Sequence, residues 1–403
     1  MKVLLVGSGG REHALAWRLA SSPALDELHA APGNPGIARL GSCHPVRSED
    51  GEGLLALCRE VAIDLAVIGP EAPLVTGVGD LLRRGGVAVF GPSRAAAQIE
   101  GSKLYAKDVL RAAEVPAAAA LSVARPPCVL KTDGLAAGKG VFVCRTQAEL
   151  DAGLRAVAAL GGPYVIEELL EGRELSVFAL CDGSRTIPLA PAQDFKRLED
   201  GDLGPNTGGM GSFSPVPGID RAEVDELVQL VHEPVLEELA RRGAPFAGLL
   251  YAGLMLTAEG PRVLEFNCRF GDPETQSIVP RLEGDLLAAL AAAAAGDLRG
   301  ADLGVADAAA VTVTVAAGSY PESGDRGTPI EGVEEAEATG ALVFHAGTAL
   351  HDGRLVTNGG RILNVTGVAA GIDEARERAY EAVERISFAG ARYRTDIAEV
   401  VHA

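Results

Sequence analysis

Between residues 2 and 92, short apolar runs alternate with stretches whose apolar positions recur at helical spacing. KVLLVG, LHAAPGN, IDLAVIGPE and VAVFGP read as strands, and Arg11 to Ala20 as a helix. That alternation predicts a parallel, doubly wound sheet with ligands beyond the carboxyl ends of its strands. From Ala95 to Ala113 the pattern is mostly helical; Pro116, an Ala-rich run and Arg125-Pro126-Pro127 then form a linker. Cys128 to Cys144 reads as a hairpin: an apolar strand carrying Lys131, a tip of Gly134, Gly138, Lys139 and Gly140, and a β-branched return strand. A helix (Glu149 to Leu160) and two strands, YVIEELL and ELSVFALC, follow. Phe246 to Asn267 predicts a second hairpin, GLLYAGLMLT and RVLEFN around a turn at Ala258-Glu259-Gly260-Pro261. From Val311, the β segments VTVTVAAG, ALVFHAGT, RLVTNGG and RILNVTG precede a helix from about Asp373 to Ile386, a small C-terminal α+β domain.

Composition narrows the functional classes. At 403 residues there is room for two or three domains. A formal net charge of -19 argues against a nucleic-acid or membrane-surface binder, whose footprint would be basic. No signal peptide or membrane span is expected: Val3 to Gly7 is too short, and the alanine run at Ala288 to Ala295 is bounded by Asp285 and Asp297. The six cysteines are scattered without a CxxC pair, as for reduced thiols in a cytoplasmic protein. Only six of the 36 Lys and Arg residues are lysine, and five of those six fall between 103 and 196. Arginine cannot replace a compact ammonium on a phosphate without changing geometry, so the cluster points to a nucleotide site there.

The candidate chemistry follows from residue types. Gly134-x-x-x-Gly138-Lys139 is one residue short of a Walker loop, and a strand, where a Walker loop would start a helix, follows it. The better reading is a hairpin whose glycines let amides approach phosphate. After the first strand, Gly7-Ser8-Gly9-Gly10-Arg11-Glu12 lacks the last glycine of a dinucleotide fingerprint; it suits a small phosphate monoester or a plain turn. Glu265 and Asn267 are two apart on one strand and share a face, two oxygens suited to magnesium that also takes nucleotide phosphates. Glu167, Glu168 and Glu174 end or begin strands facing the hairpin, where backbone groups could meet adenine and a carboxylate ribose. Asp194-Phe195-Lys196-Arg197 and Gly204-Pro205-Asn206-Thr207-Gly208-Gly209-Met210-Gly211 read as ordered loops. Asn358-Gly359-Gly360-Arg361 reads as a tight hairpin turn.

Taken in order, these pieces resemble the phosphoribosylamine–glycine ligases (glycinamide-ribonucleotide synthetases) of the ATP-grasp superfamily. The matching stretches are GSGGREHALAW (7–17), APGNPG (31–36), GPEAPLVTGV (69–78), GSK (101–103), DGLAAGKGV (133–141), GPNTGGMG (204–211), GLLYAGLM (248–255), EFNCRFGDPETQ (265–276), FHAGT and VTNGGR. The resemblance implies a Rossmann-like domain over 1–100, a two-lobed ATP-grasp core over 101–310 with its ATP lobe at about 121–182, and a C-terminal domain over 311–403. It implies ligation of glycine to 5-phosphoribosylamine with ATP and Mg2+ (or Mn2+), through a glycyl phosphate, by a cytoplasmic monomer acting on small molecules.

Carried over by motif, Lys103, Lys131 and Lys139 would contact ATP. Glu167, Glu168 and Leu170 would belong to the adenine hinge, and Glu174 would hold ribose. Glu265 and Asn267 would bind metal; Arg269, with Lys139, would act on the reacting groups, Arg269 holding an anionic intermediate or the glycine carboxylate. Asp194, Lys196, Asn206 and Thr207 would meet the amine and ribose, and Gly9, Gly10 and Arg11 the ribosyl phosphate. This chain has Phe195 where the family usually has histidine, and only Gly161-Gly162-Pro163 where a phosphate loop would stand. Those departures keep two alternatives open: a ligase for another carboxylate and amine, or a silent ATP-binding protein.

Overall fold

The computed structural model of the chain describes residues 1–135 and 140–399. Parallel strands β1 (Lys2–Gly7), β2 (Glu27–Pro32), β3 (Ser42–Cys43), β4 (Leu65–Ile68) and β5 (Ala88–Phe90) pair in the order β3-β2-β1-β4-β5. Helices α1 (Gly10–Leu19), α2 (Gly51–Val61), α3 (Glu71–Thr76) and α4 (Val78–Arg84) connect them, as the alternating pattern predicts. The helical stretch after β5 breaks into α5 (Gln98–Gly101) and α6 (Lys103–Ala112) because Ser102 turns extended and caps α6, accepting the Tyr105 N–H.

The glycine-rich hairpin is present as β6 (Cys128–Thr132) and β7 (Val141–Cys144), in register from Cys128↔Cys144 to Lys131↔Val141. With α7 (Gln147–Leu160) and β8 (Tyr164–Glu168) it forms a lobe whose sheet order is β7-β6-β8. A reciprocal Thr146–Glu149 capping box starts α7. Gly161 and Gly162, both at positive φ, turn the chain directly into β8. This lobe encloses only a small core of Cys128, Leu130, Cys144, Leu150 and Val157.

The chain continues through β9 (Arg173–Asp182), β10 (Thr186–Pro188), β11 (Gln193–Asp194), β12 (Arg197–Glu199), β13 (Leu203–Asn206) and β14 (Gly211–Ser214). Helices α8 (Arg221–Leu227) and α9 (Glu233–Arg241) lead to the second predicted hairpin, β15 (Ala247–Thr257) and β16 (Gly260–Asn267). Its strands run in to Thr257 and Gly260, so the turn is tighter than the sequence suggested. The sheet β10-β9-β15-β16 is antiparallel. Alternate residues of β1 and β9 enter two different cores, which both sheets share. Leu4, Val6, Val177 and Ala179 belong to one cluster; Val3, Leu5, Phe178 and Leu180 belong to the other.

Beyond α10 (Glu274–Ile278) and α11 (Leu286–Ala294) come β17 (Ala309–Ala316), β18 (Asp325–Pro329), α12 (Val333–Ala338), β19 (Leu342–His345), β20 (Thr348–His351), β21 (Arg354–Gly359), β22 (Arg361–Ala369) and α13 (Ile372–Val383). The main C-terminal sheet, β11-β14-β17-β22-β19, takes two strands from residues 193–214. The GPNTGGMG stretch is therefore less of a free loop than its composition suggests: it runs from β13, paired with β12, into β14, paired with β17. Among the described residues no helix is long and apolar enough to cross a membrane.

Three buried histidines are held neutral. His13 lies where α1 meets the C-terminal sheet, and its Nδ1 accepts the His345 backbone N–H at 2.8 Å, which only a neutral imidazole can do. Burial, with the neighbouring His345 and Arg39 charges, pushes His13 down to about 3; burial chiefly holds His232 and His345 at about 4. The unfolded chain then binds more protons below pH 6.5, so this stability is full above 6.5 and is lost as pH falls towards 4. We expect the unfolding free energy from urea titration to fall between pH 7 and pH 5, by about 2 kcal/mol for each such histidine, with a lower midpoint. A midpoint unchanged across that range would contradict the neutral assignment.

Candidate functional site

One large cavity, ≈ 580 Å³, lies where the hairpin lobe, the β9–β16 sheet, the N-terminal sheet and the C-terminal sheet meet. That volume suits a nucleotide-sized ligand. The lobe contributes Lys131 on β6 and Glu167 at the end of β8; Leu169 and Leu170 follow at its edge. Lys131 Nζ is 2.8 Å from Glu167 Oε2 and donates to the Leu264 carbonyl at 2.8 Å. Glu167 is not free: Lys107 of α6 takes its other oxygen, Oε1, at 2.7 Å. Expected at the adenine hinge, Glu167 can serve a base only through its backbone. Glu168 is likewise engaged, Oε1 accepting the Ala119 N–H at 2.7 Å.

Lys103 opens α6 and donates to the Gly134 carbonyl at 3.1 Å, so its ammonium sits at the start of the glycine-rich tip. Ser102 and the Leu104 N–H both bind Asp133, which ties the helix start to the hairpin. Lys139 and Gly138, singled out from the sequence, lie outside the described residues.

Across the cavity, Glu174 and Asp194 flank Lys196. The Lys196 charge, against burial, holds Glu174 low; the Asp194 and Glu174 carboxylates overcome burial to hold Lys196 well above the usual lysine range. Burial pushes Asp194 up to about 7, with Lys196 opposing and Glu274 and Glu174 adding to it. Phe195 points the other way. Its ring packs on Phe213 in the C-terminal core, with the Arg394 guanidinium 4.9 Å from its centroid. The substitution at 195 therefore falls on the side of the β11–β12 connection turned from the cavity. Asn206 and Thr207 reach the wall, although the Thr207 hydroxyl donates to the Lys196 carbonyl at 2.8 Å.

Glu265, Asn267 and Arg269 lie at and just past the end of β16 on the cavity wall. Arg269 is deeply engaged: Nε to Glu71 at 3.2 Å, Nη2 to Glu100 at 3.1 Å and to Asn267 Oδ1 at 3.2 Å, and Nη1 to the Phe270 carbonyl at 3.1 Å. Expected to meet substrate, Arg269 gives most of its donors to protein groups, two of them carboxylates. The Arg269 and Arg11 charges overcome burial and hold Glu71 at about 2. Glu265 and Asn267 both line the cavity, and Asn267 Oδ1 accepts from Arg269 Nη2 at 3.2 Å. Among the described residues no group of three or more His, Cys, Asp or Glu side chains could hold a metal, so an ion here would complete its shell with ligand oxygens and water.

The Gly9-Gly10-Arg11 turn needs correction as a phosphate cradle. The Gly9 N–H already donates to Glu12 Oε2 at 2.6 Å, so a carboxylate stands where the anion was expected. Gly10 packs against the C-terminal sheet, where a Cβ would come within 2.2 Å of Asn364 Nδ2. Arg11 alone of the three lines the cavity, tethered to Glu12 and to the Phe270 carbonyl.

Sequence reasoning missed several wall residues. Arg361, read as part of a turn, opens β22 and enters the cavity. It pairs with Asp272 at 2.9 Å and donates to the Gly208 and Asp272 carbonyls at 2.7 Å. Tyr251 donates to Glu274 at 2.7 Å, a buried pair on β15 and α10. Lys107, Glu71 and Glu100 also went without a role; the lysine count singled out the first, Glu71 lay within the strand-end stretch 69–78, and nothing local marked Glu100.

A glycine-rich hairpin lobe and a facing antiparallel sheet that clasp a cavity lined with lysines and a Glu/Asn pair define an ATP-grasp protein. Comparison with known proteins makes this specific. Residues 1–100, 101–275 and 310–400 match the N domain, the ATP-grasp (A) domain and the C domain of phosphoribosylglycinamide synthetase. A phosphoribosylamine–glycine ligase of Streptomyces coelicolor is 50% identical, over 99% of this chain and 99% of its own; one of Mesorhizobium japonicum is 48% identical, over 98% and 97%. The crystal structure of phosphoribosylamine–glycine ligase from Thermotoga maritima aligns with a TM-score of 0.85 at 36% identity, covering 98% of this chain and 100% of that one. The chain belongs to the phosphoribosylglycinamide synthetase family, a family of ATP-dependent carbon–nitrogen ligases that work with a divalent metal.

Arg361→Met would leave Asp272 largely buried without its cation. We expect a loss of about 3 kcal/mol, read as a lower urea midpoint. A variant as stable as wild type would show that this ion pair does not hold the C-terminal sheet onto the site.

Proposed function

We propose that the protein joins glycine to 5-phosphoribosylamine, with cleavage of ATP to ADP and phosphate, and yields glycinamide ribonucleotide for purine biosynthesis. The observation that carries this is the shared cavity on which Lys131 of the lobe, Lys103 of α6, the Glu265–Asn267 pair and the Asp194–Lys196–Glu174 cluster all converge, in a chain of this family. A carboxylate is a poor electrophile until phosphorylated. Its oxygen attacks the γ-phosphorus, ADP leaves, and the resulting glycyl phosphate is attacked at carbon by the amine, which expels phosphate. Such transfers need positioning and charge neutralisation more than a protein nucleophile.

In this reading Lys103, Lys131 and Lys139 serve the ATP phosphates, and the Glu167-to-Leu170 backbone serves the base. Glu174, with Lys196, serves ribose, and Asp194 accepts hydrogens of the amine at neutral pH. Asn206 and Thr207 border the amine substrate, and Arg11 the ribosyl phosphate. Arg269, with its remaining N–H, faces the acyl phosphate. Glu265 and Asn267 would hold magnesium, or manganese, which when bound would offset charge on the phosphate oxygens. We take 1–100, 101–310 and 311–403 as the domains of a cytoplasmic monomer that acts on small molecules.

With ATP, magnesium and glycine, phosphate should be released only when phosphoribosylamine is generated in the assay. Steady turnover with another amine and none with this one would favour a different carboxylate–amine ligase. Glu265→Ala should lower metal-dependent turnover at least a hundredfold, or about 3 kcal/mol, with an unchanged circular-dichroism spectrum. Undiminished activity would remove Glu265 from the metal site.

A further inference from the structure

Lys107 lines the cavity and has no part in the function proposed above. It sits one turn after Lys103 on α6, so both ammonium groups leave the same helix face. Its Nζ bonds Glu167 Oε1 at 2.7 Å and the Ala118 carbonyl. On the opposite side, Lys131 Nζ bonds Glu167 Oε2 at 2.8 Å and the Leu264 carbonyl at 2.8 Å. The carboxylate is 2% exposed and the two lysine side chains 13% and 8%, so water screens none of the three well.

We propose that Lys107 is a positioning residue of the ATP site: it neutralises the buried Glu167 carboxylate, so that Lys131, fixed by that same carboxylate, keeps a net positive charge for the nucleotide phosphates. The inference rests on the reading that this cavity takes ATP. Glu167 solves one problem and creates another. Bonded to both Oε2 and a backbone carbonyl, the Lys131 ammonium has a single location, but a lone carboxylate at 2.8 Å would cancel its charge as felt from the cavity. A second ammonium on the far oxygen leaves the triad at +1. The geometric constraint is thereby kept without giving up the attraction. Lys107 itself is tied back to the Ala118 carbonyl and needs no contact with nucleotide to act this way.

Removal of both partners of the outer pair tests this, because K107M/E167Q also carries a net +1, on Lys131 alone. The amide oxygen that E167Q introduces would still accept from Lys131. Titration of MgATP by calorimetry should give K107M about tenfold weaker binding than wild type, and K107M/E167Q binding within about threefold of wild type. In steady state K107M should raise the KM for ATP while kcat at saturating ATP stays within about threefold. Should K107M fail to fold, the double variant decides alone. Binding more than tenfold weaker in the folded double variant would overturn the inference, since it would mean that Lys107 touches nucleotide or that the triad is only structural. Wild-type protein that does not bind MgATP would overturn the ATP-site reading and this inference with it.

Discussion

The Arg269 guanidinium lies buried between Glu71 and Glu100, and it also holds Asn267. Breaking a buried pair from one side costs about 3–5 kcal/mol, so these groups stand or fall together. Glu71 opens α3 and Glu100 belongs to α5, whereas Arg269 and Asn267 come from the end of the β15–β16 hairpin. The contact therefore fixes the end of β16 against α3 and α5. It also explains why an arginine expected to grip substrate spends most of its donors on protein: the site first has to hold its own walls at fixed distances.

Packing reinforces the same division of labour. Two apolar clusters each take residues from β1, β9 and β15, so the N-terminal sheet and the cavity floor are packed on shared cores. The hairpin lobe has its own small core and joins the rest largely through polar ties: Ser102 and Leu104 to Asp133, and Lys131 to Leu264. Few buried contacts mean low local stability, the property a covering jaw needs. The C-terminal sheet closes the remaining side, because β11 and β14 extend it under Asp194 and because Arg361 crosses to Asp272.

Features encoded within a few residues were legible in the sequence. The βα alternation, the hairpin at 128–144 and the i, i+2 placement of Glu265 and Asn267 follow from period and spacing alone. Features made by distant partners were not. Nothing near Glu167 announces Lys107, sixty residues earlier, as its partner, and nothing near Arg361 announces Asp272. Glycine content misled at Gly9, where the Glu12 side chain folds back and occupies the amide. It misled again at 204–211, where strand pairing supplied by β12 and β17 overrides loop-like composition. Phe195 reads as a defect in the site from sequence alone, whereas its packing against Phe213 and Arg394 turns it from the cavity.

In the proposed reaction the cavity activates a carboxylate by passing it the γ-phosphoryl group before the amine attacks. Turnover with glycine labelled by oxygen-18 in its carboxylate tests it directly, because the acyl phosphate leaves with the carboxylate oxygen that made the bond. One labelled oxygen is expected in each phosphate released, detected by mass spectrometry. Phosphate without label, formed at the rate of amide synthesis, would contradict it.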